Sequence, residues 1–68
     1  MPLIEVTLAE GRSAEKLRAL ISKLTEAVVE TGVAEKQAVR VIIREVPTSH
    51  WAAGDETLAE RSAKQQNS

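Results

Sequence analysis

Within 68 residues the spacing of apolar side chains changes period twice, and this succession limits the fold more than any single motif does. Ile4, Val6 and Leu8 alternate with Leu3, Glu5 and Thr7, the period of two expected of a half-buried strand. Glu10 and Gly11 break that pattern. Leu17, Leu20, Ile21, Leu24 and Val28 then recur at the spacing of one helical face, with Glu15, Arg18, Ser22, Lys23, Glu26 and Glu30 covering the rest. Ser13 is a suitable N-cap and Glu15 lies in the first turn, where the positive end of the helix dipole favours it. Lys16 occupies the capping-box position, so that motif is incomplete. Gly32 suits the C-terminal stop. A second strand is expected over residues 38–46, where Val39, Val41, Ile42 and Ile43 stand in nearly unbroken succession, the pattern of a strand covered on both faces. Pro47 ends it, and Thr48 to Gly54 reads as a loop or small hairpin carrying Trp51, the only aromatic residue. Ser62 to Ser68 lacks apolar anchors, which predicts one domain over residues 1–61 and a frayed polar tail over 62–68.

Two strands joined by a long helix should be parallel, with a right-handed crossover, giving a single β-α-β unit of the α/β (α+β) class. One helix cannot cover both faces of such a sheet, so the other face is expected to meet another subunit. Size points the same way. A chain this short buries only about 60% of the surface its unfolded form exposes. No cysteine is present to form a disulfide, and the single histidine, His50, makes no zinc site, so no metal is expected. Nine Lys and Arg against ten Asp and Glu give a net charge of −1, without the basic excess that nucleic-acid binding requires. The apolar runs are only a few residues long and follow no charged leader, so the expectation is a cytoplasmic protein without a membrane partner.

Chemistry is sparse along the chain. Lysines and carboxylates are scattered, and no Ser/His/Asp order suggests a triad. Once Met1 is removed, however, Pro2 offers a secondary amine as a Brønsted base.

Pro2, the run Glu10-Gly11-Arg12-Ser13, the strand Val39-Arg40-Val41-Ile42-Ile43 and the pair His50-Trp51 together resemble the short-chain 4-oxalocrotonate tautomerase family. The likeness extends over about residues 2–54 without a gap. It implies a β-α-β subunit with a short C-terminal hairpin, dimers that join their sheets, and a homohexamer made of three dimers. It also implies an isomerase interconverting enol and keto, or unsaturated positional, isomers of 2-keto acids such as 2-hydroxymuconate, as in aromatic-compound degradation. No cofactor is implied. By the same resemblance Pro2 is the general base, Arg12 holds the distal carboxylate, Arg40 holds the carboxylate and oxygen at the keto end, and Trp51 forms an apolar wall where Phe is commoner.

The chemistry of such a reaction asks for these residue types. A base removes an acidic proton next to the conjugated carbonyl system and returns it two carbons along, so one group serves both steps. That base must be neutral at rest, although a primary α-amine titrates near 7.7–8.0 and a proline amine higher. Bringing its pKa down by about two units corresponds to roughly 2.7 kcal/mol, within reach of burial and neighbouring cations such as Arg12 and Arg40. Guanidinium also pairs with carboxylate through two parallel hydrogen bonds, which lysine cannot match. Pro2 and Arg12 lie at opposite ends of the first strand, roughly 20 Å apart, so an active site that uses both is expected to draw on more than one chain.

Some positions depart from the family pattern. Arg44 shares a strand face with Arg40, where a smaller polar residue is usual, and is expected to pair with Glu5 or Glu45 or to alter substrate charge preference. Gly54 stands alone where relatives are glycine-rich. His50 reads as a surface residue. The alternatives are a hydratase or dehalogenase on the same scaffold, and a non-catalytic subunit of a mixed oligomer. Asp55 and Glu56 follow the loop, but Ala52 and Ala53 stand nearest to where a water-activating acid is expected, which disfavours the first alternative.

Overall fold

The computed structural model describes residues 2–66, with the side chain of Gln66 excepted. Strand β1 (Leu3–Ala9) leads into helix α1 (Ala14–Glu30), and a 3₁₀ turn at Lys36–Ala38 precedes strand β2 (Arg40–Val46). β1 and β2 pair in parallel, from Leu3 opposite Arg40 to Ala9 opposite Val46. The β-α-β unit expected from the periodicities is therefore present. A second 3₁₀ turn at Thr48–His50 is followed by a two-stranded antiparallel hairpin, β3 (Ala52–Ala53) and β4 (Glu56–Thr57), and then helix α2 (Leu58–Gln66).

Local signals account for the boundaries of α1. The Ser13 side chain accepts a hydrogen bond from the Lys16 amide at 3.2 Å, occupying one of the amides that the first turn leaves unpaired. At the other end Gly32 takes φ +79° and donates its amide to the Val29 carbonyl at 3.0 Å, a left-handed stop that a side chain would strain. Leu17, Leu20, Ile21, Leu24 and Val28 are all half-buried, as their spacing requires, and Thr25 joins them. α1 packs against β2, so this stripe lies over the sheet face formed by Ile4, Val6, Val41 and Ile43.

The opposite sheet face is open. Leu3, Glu5 and Thr7 from β1 and Arg40, Ile42 and Arg44 from β2 are all exposed. Consequently the apolar run of β2, which suggested cover on both faces, has cover on one face within a single chain.

No described residue is fully buried. The chain extends over 48 × 24 × 16 Å with a radius of gyration of 15.9 Å, against about 11 Å for a compact domain of this length. Its accessible surface is 5318 Å², about 1,100 Å² more than a folded monomer of this mass should show. Both excesses reflect a sheet with one bare face and a C-terminal arm whose main contacts are local, α2 packing on the Thr48–His50 turn and on β4.

That arm corrects one expectation. Residues 62–66, expected to be part of a frayed tail, continue α2; residues 67 and 68 lie outside the described residues. A reciprocal capping box starts the helix: the Thr57 amide donates to Glu60 Oε1 at 2.9 Å, and the Glu60 amide donates to Thr57 Oγ1 at 3.1 Å. Lys64 Nζ lies 2.8 Å from Glu56 Oε2 and ties the helix back to the hairpin. The hairpin turn also solves its backbone demand without a second glycine. Gly54 takes φ +59° and Asp55 φ +66°, and aspartate is among the side chains that tolerate this region.

Replacing either cap tests these assignments. Ser13→Ala should destabilise the protein by about 1 kcal/mol, read as a lower urea midpoint at fixed protein concentration. Thr57→Ala should leave that midpoint nearly unchanged and instead speed hydrogen exchange within 58–66.

Candidate active site

The parallel register decides where each candidate residue lies. Pro2 immediately precedes β1, and its carbonyl accepts the Arg40 amide at 3.0 Å, which sets Pro2 beside the first residue of β2. Pro2 is half-buried and Arg40 exposed. Arg12 follows β1 at the far end of the sheet, where the Glu10 amide donates to the Val46 carbonyl at 2.9 Å. Trp51 follows β2 at that same end, half-buried at the base of the hairpin, its carbonyl accepting the Leu58 amide at 2.9 Å. One chain thus groups Pro2 with Arg40 and Arg12 with Trp51, with the seven residues of β1 between the two groups. At about 3.3 Å per residue that separation is roughly 20 Å.

The guanidinium groups are held in different ways. Arg12 Nη1 donates to the Ala9 carbonyl at 2.9 Å, and Arg40 Nη1 donates to the Gln37 carbonyl at 2.8 Å. Each is thereby steadied by a neutral backbone oxygen three residues away. Among the described residues neither is paired with a carboxylate, so the positive charge of each is available to an anionic ligand. Arg44 contrasts with both. Its Nη1 lies 3.1 Å from Glu5 Oε2, the first of the two acids expected as its partner.

The acids near the hairpin are less suited to activating water. Glu56 is engaged by Lys64, and Asp55 occupies the exposed hairpin turn. His50 is exposed at the end of the 3₁₀ turn. Two concavities among the described residues lie elsewhere: one runs along α1, lined by residues including Arg18, Ile21, Thr25 and Val29, and another lies between the hairpin and α2, beside Asp55 and Lys64. Neither includes Pro2, Arg12, Arg40 or Trp51. No helix among the described residues is long and apolar enough to cross a membrane.

The family profile described as "Tautomerase enzyme" matches residues 2–61. The chain belongs to the tautomerase family. A probable tautomerase of Ralstonia nicotianae is 59% identical over 51 residues, covering 75% of this chain and 73% of that one. Among solved structures, a 4-oxalocrotonate tautomerase isozyme from Methylibium petroleiphilum superposes with a TM-score of 0.88 at 36% identity, covering 93% of this tautomerase and 98% of the other. A heterohexameric 4-oxalocrotonate tautomerase from Chloroflexus aurantiacus superposes with a TM-score of 0.83 at 38% identity, covering 88% and 97% of the two chains. These likenesses extend the family resemblance over three quarters or more of the chain.

Trp51 provides an optical test of how this end of the tautomerase is covered. Half-buried in one chain, it should be shielded further by a neighbour, so dilution through the assembly range is expected to shift its emission to longer wavelength. Emission that stays constant while the mass falls would place Trp51 away from any contact between chains.

Proposed function

We propose that this tautomerase interconverts enol and keto, or unsaturated positional, isomers of 2-keto acids of the 2-hydroxymuconate type, with Pro2 as general base once Met1 has been removed. The observation that carries the proposal is the presence of two guanidiniums without carboxylate partners among the described residues, one beside Pro2 and one at the opposite end of the strand that Pro2 begins. A dicarboxylate substrate needs such a pair. Arg40 takes the carboxylate and oxygen at the keto end, Arg12 takes the distal carboxylate, and Trp51 walls the pocket against water.

In the reaction the Pro2 nitrogen accepts a proton from the bound isomer, leaving a dienolate, and returns it at another position of the conjugated system. Electrons are only redistributed, so no redox partner is consumed. Negative charge moves towards the carboxylates during this step, and guanidiniums already in place stabilise it where it forms. The same two cations disfavour protonation of the proline amine at rest, which keeps the base competent near neutral pH.

The separation of the two groups within one chain requires each active site to combine Pro2 from one subunit with Arg12 and Trp51 from another. An antiparallel neighbour joined along the sheet meets that requirement, because the end of its first strand lies beside the start of this one. Assembly of such dimers into a homohexamer agrees with the surface that the single chain leaves bare.

Purified protein should lack the mass of Met1 and should accelerate 2-hydroxymuconate ketonisation, whereas Pro2→Ala should lower kcat/KM by about 10²-fold or more. Undiminished turnover by Pro2→Ala would end the proposal. Pro2→Ala and Arg12→Ala, each impaired alone, should regain about a quarter of wild-type activity when unfolded together and reassembled in equal amounts, because half the pairs are mixed and each mixed pair has one intact site. No recovery on mixing would place both residues in the same chain's site.

A further inference from the structure

Both guanidiniums assigned to the substrate fold back on the carbonyl three residues before them, but the backbone reaches that arrangement differently in the two places. Before Arg40 a 3₁₀ turn supplies the curl. The Ala38 amide donates to the Glu35 carbonyl and the Val39 amide to that of Lys36, and the Arg40 guanidinium takes the next carbonyl in the series, that of Gln37. Among the described residues no such turn lies between Ala9 and Arg12. The Glu10 amide closes the strand ladder on Val46, while the carbonyl and side chain of Ser13 already belong to α1, through Leu17 and Lys16. Gly11 and Arg12 lie between these anchors and make no backbone-to-backbone hydrogen bond among the described residues.

Gly11 provides the change of direction instead. Its φ is +128°, a region that L side chains rarely adopt, and a Cβ there would meet nothing within 4 Å outside its own chain neighbours. Space therefore permits a side chain at position 11, and only the backbone angle disfavours one. A glycine required by close packing would have atoms against it. This one has none, and what its angle does determine is the direction in which the next residue leaves the end of β1. That residue is Arg12, whose Nη1 returns to the Ala9 carbonyl at 2.9 Å.

We propose that Gly11 is a positioning residue: its left-handed backbone turns Arg12 back across the end of β1 and so fixes where the distal carboxylate of the substrate is held. With an Nη1 donor committed to Ala9, the other N–H groups of Arg12 remain for a carboxylate, in a plane set by that bond. Paired N–H donors hold a carboxylate only in a narrow range of positions, so a displaced Arg12 backbone loses part of that hold. Gly11 touches no substrate and acts through Arg12. The inference rests on the proposed reaction and deepens it by naming what sets its preference for a dicarboxylate.

Substrate choice tests it. The ratio of kcat/KM for 2-hydroxymuconate to that for the analogue lacking the distal carboxylate reports the hold on that carboxylate, because a loss of folded protein lowers both values together. Gly11→Ala should lower this ratio by about tenfold, chiefly by raising KM for the dicarboxylate, with oligomeric mass and circular dichroism unchanged. In an Arg12→Ala background the same substitution should have no further effect on the ratio, since it removes only what Arg12 supplies. Gly11→Asn keeps a positive φ but prefers one near +57°, so it should lower the ratio less, and it carries the measurement should the alanine variant not assemble. An unchanged ratio in Gly11→Ala, or in Gly11→Asn where alanine prevents assembly, would overturn the inference, as would an equal loss with and without Arg12. Wild-type protein that isomerises neither enol would overturn the proposed function as well, whereas wild-type activity with an unmoved ratio would overturn this inference and leave that function standing.

Discussion

The parallel ladder from Leu3 opposite Arg40 to Ala9 opposite Val46 has α1 over one face and open surface on the other. Parallel pairing requires a long connection, and α1 supplies it while covering Ile4, Val6, Val41 and Ile43. A single crossover helix has no counterpart for the second face. Hence no described side chain is fully buried and the chain exposes more surface than its mass warrants. Parallel sheets ordinarily occur with both faces covered, and the nearly unbroken run Val39 to Ile43 is composed for that environment. The bare face is thus a physical consequence of pairing only two strands.

The same ladder determines what the candidate active-site residues can do. Parallel strands begin together and end together, so Pro2 stands beside Arg40 while Arg12 and Trp51 share the other end. A substrate of a few carbons does not span roughly 20 Å. Within a single chain, therefore, one such substrate does not meet all four residues.

Charge is distributed unevenly among the three arginines nearest this framework. Arg12 and Arg40 are steadied by backbone carbonyls, which orient a guanidinium without cancelling its charge. Arg44 faces Glu5 instead. A carboxylate partner at Arg40 would compete with an anionic ligand. The difference between neutral and charged partners is what leaves Arg12 and Arg40 better suited than Arg44 to an anionic ligand.

Much of this was legible from one-dimensional pattern. The period of two in β1 and the stripe from Leu17 to Val28 report burial directly, because one face of each element is solvated, and Ser13 and Gly32 bound α1 through their own backbone preferences. The C-terminal helix was less visible: residues 62–66 carry no apolar stripe, and the signal that starts α2 is the Thr57/Glu60 capping box, a local hydrogen-bond pattern rather than a hydrophobic one. The sequence by itself determined the element types, the candidate base and cations, and the shortage of internal core, since each depends on residues near one another in the chain or on total length. Only the tertiary structure decided that Pro2 lies by Arg40 and away from Arg12, that Arg44 chooses Glu5 over Glu45, and which sheet face stays bare. Those outcomes depend on strand register and on the side of the sheet that α1 covers, and both are set by contacts between residues distant in sequence.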